Sequence, residues 1–140
     1  LVATPAGILN VHHELGLDRR ALESLANHAY APGDVGARIA SGSFATDACI
    51  VAPCSMKTLA AVAHGLSDNL LTRAADVVLK ERRRLVLAVR ETPLHGGHLR
   101  TLVQLADMGA VVAPIVPAFY TRPKSVDDIV NVAAICSLMA

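Results

Sequence analysis

An α/β fold, an open parallel sheet with helices on both faces, is predicted by three observations. Short apolar runs of strand length alternate along the chain with stretches of helical period. The run Leu85 to Val89 is apolar without interruption, as expected for a parallel strand covered on both sides. Apolar residues make up 53% of the chain, yet 24 residues are alanine and only 3% are aromatic, so the core must be aliphatic with closely approaching backbones. A length of 140 residues fits one domain, taken as residues 1–140.

Each element follows from local chemistry. Thr4 before Pro5 is a helix-start pair, and the helix it opens is expected to run to Leu15 and stop at Gly16. Asp18 caps a second helix through Asn27, and the small residues from Ala31 to Ser43 read as loop. Ala48 to Pro53 is a short strand. Ser55 then caps a helix whose Leu59, Val62, Ala63 and Leu66 share a face, and Gly65, Ser67 and Asp68 break it. From Asn69 to Arg82, Leu70, Ala74, Val77 and Val78 share the buried face of a second helix in the same crossover. Leu85 to Val89 is the next strand, His98 to Met108 a helix ended by Gly109, and Ala110 to Val116 a buried strand. Ser125 with Asp127 and Asp128 opens a last helix, with Val126, Ile129, Val130 and Ala133 as its buried stripe.

Thirteen Lys+Arg against twelve Asp+Glu give a net charge of +1, and the only dense basic run is Lys80 to Arg84, so no nucleic-acid or anionic-membrane surface is expected. The most apolar window, Ala110 to Phe119, is cut by Pro114 and Pro117 and is too short to span a bilayer. Three cysteines, Cys49, Cys54 and Cys136, point to a reducing compartment, and cytoplasm is the expected location.

In open parallel sheets ligands sit beyond the carboxyl ends of the strands. Three polar clusters follow strands and should meet on that rim: Cys54 to Thr58, Arg90 to Pro93, and Pro117 to Tyr120. Ser55 and Thr58, at a strand-to-helix junction, either cap the helix or hold a phosphate with its free amides, and the small residues Ser41-Gly42-Ser43 would let backbone approach a ligand. Arg90-Glu91 reads either as a solvated ion pair or as an anion-binding arginine beside a proton-transferring carboxylate. Most of the run Lys80 to Arg84 reads as the solvated end of a helix. His95-Gly96-Gly97-His98 has metal-like spacing but lacks a third ligand, and no metal site is expected. Cys54 is a nucleophile candidate at a helix start, or a small buried core residue.

Ser41-Gly42-Ser43-Phe44, the stretch Val51-Ala52-Pro53-Cys54-Ser55-Met56-Lys57-Thr58-Leu59, the stretch from Arg73 to Arg83, Arg90-Glu91-Thr92-Pro93-Leu94-His95, Met108-Gly109-Ala110-Val111 and Pro117-Ala118-Phe119-Tyr120 occur in one order and spacing. Together they resemble the UbiX-type flavin prenyltransferases, formerly described as aromatic acid decarboxylases, over about Leu1 to Ile135. The resemblance implies a three-layer Rossmann-like or flavodoxin-like sheet that binds FMN and assembles as a homo-oligomer, a dodecamer built of trimers. It implies metal-independent transfer of a dimethylallyl group from dimethylallyl monophosphate to reduced FMN. The product, prenylated FMN, passes to a UbiD-type decarboxylase. By motif match, Thr4, Ser41, Ser55, Thr58 and Arg73 fall on the FMN side. Lys80, Arg90 and Tyr120 hold the prenyl phosphate, and Glu91 assists proton transfer.

The family opens with a strand and a Gly-Ala-Ser-Gly-type loop, whereas Leu1 falls near the family's second strand, so the chain is expected to be truncated at the N-terminus relative to the family. Cys136 stands where a phosphate-binding arginine is expected. Two further readings accompany the transferase: an FMN-binding or assembly subunit with impaired catalysis, and a direct aromatic acid decarboxylase.

Overall fold

The structure, a computed structural model, describes residues 1–131. Helix α1 (Pro5–Leu15) begins where Thr4 Oγ1 accepts the Gly7 amide at 3.1 Å, and it ends at Gly16, whose φ of +68° lets its amide turn back to the His12 carbonyl. Helix α2 (Arg19–Ser24) is capped by Asp18 as expected but stops short of Asn27. The Ser24 hydroxyl donates to the Ala21 carbonyl, and the Leu25 amide, which would have continued the α pattern, donates to Leu22 instead. The predicted loop contains a 3-10 turn, Arg38–Ala40.

Three parallel strands, β1 (Ala48–Cys54), β2 (Arg84–Val89) and β3 (Val111–Pro114), form one sheet in the order β1-β2-β3. Every residue of β2 from Leu85 to Val89 is buried, so both faces of the sheet are covered there, as the uninterrupted apolar run predicts. β1 reaches one residue beyond the predicted Pro53. Its pairing runs from Ala48 opposite Arg84 to Val51 opposite Leu87, then shifts across Pro53, which has no amide to donate, to Cys54 opposite Val89. β3 is shorter than the predicted Ala110 to Val116. Val89, the last residue of β2, pairs with Pro114, the Ile115 amide makes one more bond to the Val89 carbonyl, and no strand remains beside Val116.

Helices α3 (Met56–Ala63) and α4 (Leu70–Lys80) form the first crossover, capped by Ser55 and Asn69. α4 packs on β1 and β2, and α3 lies between α4 and α5 (Gly96–Asp107), which packs along β3. α4 ends two residues before the predicted Arg82, because Arg82 takes a left-handed φ of +55°. α5 starts two residues before the predicted His98: His95 Nδ1 accepts the amides of Gly97 and His98 at 3.0 and 3.3 Å, so the two glycines fall in the first turn.

Ser125 and Asp128 exchange bonds as the sequence suggests, Ser125 Oγ accepting the Asp128 amide and Asp128 Oδ2 the amides of Lys124 and Ser125, and residues 126–131 are helical. The predicted buried stripe is not observed. Val126 is 75% exposed and Val130 58%, since nothing among the described residues covers that face; Ala133 lies outside the described residues. Among the described residues no helix is long and apolar enough to cross a membrane.

Leu87 has no exposed surface and sits in the middle strand of the core. Leu87→Ala is expected to destabilise the chain by about 2–5 kcal/mol, read from the midpoint of chemical denaturation, because a cavity between two covered faces has little room to collapse.

Candidate functional site

The register aligns Cys54, Val89 and Pro114 side by side at the carboxyl ends of the strands. Ser55, Arg90 and Ile115 therefore leave the sheet as neighbours, at the ~4.8 Å strand spacing. Ser55 Oγ accepts the Thr58 amide at 3.2 Å and bonds the Thr58 hydroxyl at 3.1 Å, so both hydroxyls are gathered at the positive end of α3. Arg90 and Glu91 are both exposed, and among the described residues neither has a hydrogen-bonding or ionic partner; the alternative of an Arg90–Glu91 ion pair is not observed. Tyr120 lies in a 3-10 turn, Phe119–Thr121, beyond β3 and is 84% exposed. The Cys54–Thr58 and Arg90–Pro93 clusters thus leave one end of the sheet side by side, and the segment from Pro117 to Tyr120 follows β3 from that end.

A second cluster forms elsewhere. The loop after the Arg38–Ala40 turn packs on α4: Arg73 Nε donates to the Ala40 carbonyl at 3.1 Å, and Arg83 donates to the carbonyls of Gly42 and Phe44. Ser41 and Ser43 share a hydrogen bond of 2.8 Å between their hydroxyls. The Lys80 ammonium pairs with the Glu81 carboxylate, and a Cβ on Gly42 would run into both, so the missing side chain makes room for this ion pair and not for a ligand. Lys80, through hydrogen bond and charge, holds the Glu81 carboxyl below its ordinary range, with Arg83 adding to the effect.

Arg84 opens β2 opposite Ala48, the first residue of β1, so this second cluster stands at the amino edge of the strands. The six residues of β2 separate Arg83 from Arg90, roughly 20 Å at the rise of a parallel strand. Lys80 and Arg90, expected to hold one phosphate, are therefore not brought together within one chain. Thr4 caps α1, and its side chain makes no hydrogen bond to any other candidate among the described residues. Cys136 lies outside the described residues.

Of the remaining candidates, Cys54 is fully buried, and burial pushes its thiol up to about 11, against a nucleophilic role. His95 spends Nδ1 on its cap and stacks on His98 at 3.6 Å. No group of three or more metal-ligating side chains occurs among the described residues. Two residues escape sequence reasoning. Arg83, read as part of a solvated helix end, is half-buried against carbonyls some 40 residues upstream, and no local pattern announces such a target. His95 caps α5 although histidine is not a favoured cap and the Gly-Gly pair that follows it weakens the first turn, so no sequence signal marks it.

Residues 23–136 match the family described as Flavoprotein. The chain belongs to that family. It is 52% identical over 130 residues to a flavin prenyltransferase UbiX of Archaeoglobus fulgidus, covering 93% of this chain and 71% of the relative. Among solved structures, a UbiX protein in complex with FMN and dimethylallyl pyrophosphate superposes with a TM-score of 0.93 at 44% identity, over 95% of this chain and 71% of that one. A dodecameric FMN-dependent UbiX-like decarboxylase from Escherichia coli O157:H7 superposes with a TM-score of 0.96 at 46% identity, over 99% and 75%. The open parallel sheet of the Flavoprotein relatives is the sheet expected from the sequence.

Cys54 carries the test of the site's inert thiol. At pH 7.5 in the folded chain, iodoacetamide should label Cys54 about 100-fold more slowly than in the denatured chain, the ratio set by the loss of thiolate, with site-resolved mass spectrometry as the readout.

Proposed function

We propose that the chain is a flavin prenyltransferase, moving a dimethylallyl group from dimethylallyl monophosphate to reduced FMN and supplying prenylated FMN to a UbiD-type decarboxylase. The observation that carries this reading is the pairing of Cys54 with Val89, which sets a phosphate-suited helix start beside an exposed Arg90-Glu91 pair. FMN fits the donor set: the Ser55 and Thr58 hydroxyls and the first amides of α3 suit its phosphate. Reduced FMN supplies the electron-rich ring that receives the prenyl carbon.

The chain's own residues lower the barrier to breaking the allylic C–O bond, whose electron pair leaves with the phosphate. Arg90 donates charge-assisted hydrogen bonds to that leaving group, and the Tyr120 hydroxyl adds a neutral donor. Fixed cations and donors neutralise the departing charge without a metal. Glu91, next to Arg90 on the same exposed turn, moves the proton that must leave as the new bond is made. Thr4 lies on the FMN side in this reading, while Ser41 and Arg73, in the cluster at the opposite edge, join it from another copy of the chain.

Lys80 stands at the opposite edge of its own sheet, so it can reach a phosphate at the rim only from another copy of the chain. A homo-oligomer, a dodecamer in this reading, follows from that separation, and the exposed Val126 and Val130 offer apolar surface for its contacts.

The decisive experiment mixes the protein with FMN, dithionite and dimethylallyl monophosphate and reads the flavin mass. A prenylated flavin is expected; an unchanged mass would favour the FMN-binding subunit, and carbon dioxide released from an aromatic acid without a partner enzyme would favour the decarboxylase. Glu91→Gln should slow single-turnover prenylation about 10²- to 10⁴-fold. Its melting temperature should barely change, because the side chain is exposed and unpaired among the described residues. Chains carrying Lys80→Ala and chains carrying Glu91→Gln, each poorly active alone, should regain activity when co-expressed. About a quarter of the sites in random mixed oligomers then join an intact Lys80 to an intact Glu91. Absence of recovery would place both groups in one chain's site.

A further inference from the structure

α4 closes with a hydrogen-bonded reversal. The Arg82 amide donates to the Leu79 carbonyl and the Arg83 amide to the Val78 carbonyl, both at 2.9 Å, with Arg82 in the left-handed position that glycine usually fills. The Arg83 backbone is thereby tied to the last turn of the helix. Its guanidinium then reaches across to the loop before β1: Nη1 donates to the Phe44 carbonyl at 2.8 Å and Nη2 to the Gly42 carbonyl at 2.7 Å. Higher on α4, Arg73 takes a single carbonyl of the same loop, that of Ala40. The Arg38 guanidinium lies 5.3 Å from the centre of the Phe44 ring. Between the two carbonyls held by Arg83 sits Gly42, with the Lys80–Glu81 ion pair pressed against it.

We propose that Arg83 is a positioning residue: its fork clamps the Ser41–Phe44 loop to the end of α4 and so holds the Ser41 hydroxyl and the Lys80 ammonium in one constellation. What that constellation binds rests on the function proposed above; the clamp itself does not. Arg83 holds the loop through the carbonyls of Gly42 and Phe44. A planar guanidinium can satisfy two carbonyls at a fixed angle, whereas a lysine ammonium is a point charge on a flexible stem and holds one geometry poorly. The clamp also explains the register of the loop against the helix. With Gly42 and Phe44 fixed, Gly42 faces the Lys80–Glu81 ion pair, whose side chains a Cβ there would displace.

The test compares Arg83→Lys and Arg83→Ala with Arg84→Ala, which removes a neighbouring exposed cation of the same run. In the ligand-free protein, hydrogen exchange is read at the Phe44 amide, which donates to the Ser41 carbonyl at 3.2 Å. Both Arg83 variants should speed that exchange about tenfold or more while Arg84→Ala leaves it unchanged, since local opening follows the loss of the loop's own bonds. Exchange at the wild-type rate in Arg83→Lys overturns the clamp. In turnover, the KM for dimethylallyl monophosphate or FMN should rise about tenfold with kcat little changed, as misplaced binding groups cost mainly ground-state affinity. Dilute guanidinium ion should restore part of the KM in Arg83→Ala. Faster exchange with an unaltered KM overturns the positioning role. A wild-type protein that neither binds FMN nor prenylates it overturns the proposed function instead, and the ligand-free exchange still decides the clamp. Should Arg83→Ala fail to fold, Arg83→Lys, which keeps charge and stem, carries both measurements.

Discussion

The parallel register of β2 with its two neighbours governs the rest of the structure. A strand buried on both faces has no freedom to slip, because a shift of one residue exchanges the two sets of side chains between faces that are each packed by different partners. Leu85 to Val89 are all buried, so the pairings of Val89 with Cys54 and with Pro114 are settled by the core and not by the site. Ser55 and Arg90 emerge side by side as a consequence. The polar residues at the carboxyl rim need no mutual attraction to meet there, and Arg90 and Glu91 are left without partners among the described residues, free to engage a ligand.

The same strand determines what stands at the other edge. Arg84 pairs with Ala48, which fixes the end of α4 and the approach of the loop before β1 to the same place. The charges there are satisfied among themselves: Lys80 by Glu81, Arg83 by two backbone carbonyls, Arg73 by Ala40 and Asp76. The two edges thus contrast chemically. One presents exposed charge and a helix start; the other is a knit assembly of arginines and carbonyls with Lys80 at its surface.

Burial decides between competing readings of single residues. The place of Cys54 at the end of β1, just before a helix start, would lower a thiol pKa if the sulfur were wet, but its side chain belongs to the buried core, and desolvation prevails. His95 has the spacing of a ligand with His98, yet its ring nitrogen accepts the amides of Gly97 and His98 in the first turn of α5. In both cases the nearest unsatisfied group or the surrounding packing, and not the residue type, sets the role.

The alternation of strands and helices, the caps at Thr4, Asp18, Ser55 and Ser125, and the buried middle strand were legible in the amino-acid sequence by itself, because each rests on residues within a turn or two of one another. The family motifs likewise named the rim residues Ser55, Thr58, Arg90, Glu91 and Tyr120. Element ends were decided by tertiary structure: β3 stops where β2 runs out, and α4 stops where Arg82 turns left-handed. So were the exposure of Val126 and Val130 and the engagement of Arg83 with Gly42 and Phe44. A helical period says that a face exists but not what covers it, and an arginine's carbonyl partners some 40 residues away are chosen by the packing of α4 on the sheet. Local hydrogen bonding and hydrophobic period are written in neighbouring residues; the separation of Lys80 from Arg90 across the length of β2 arises only once the strands are aligned.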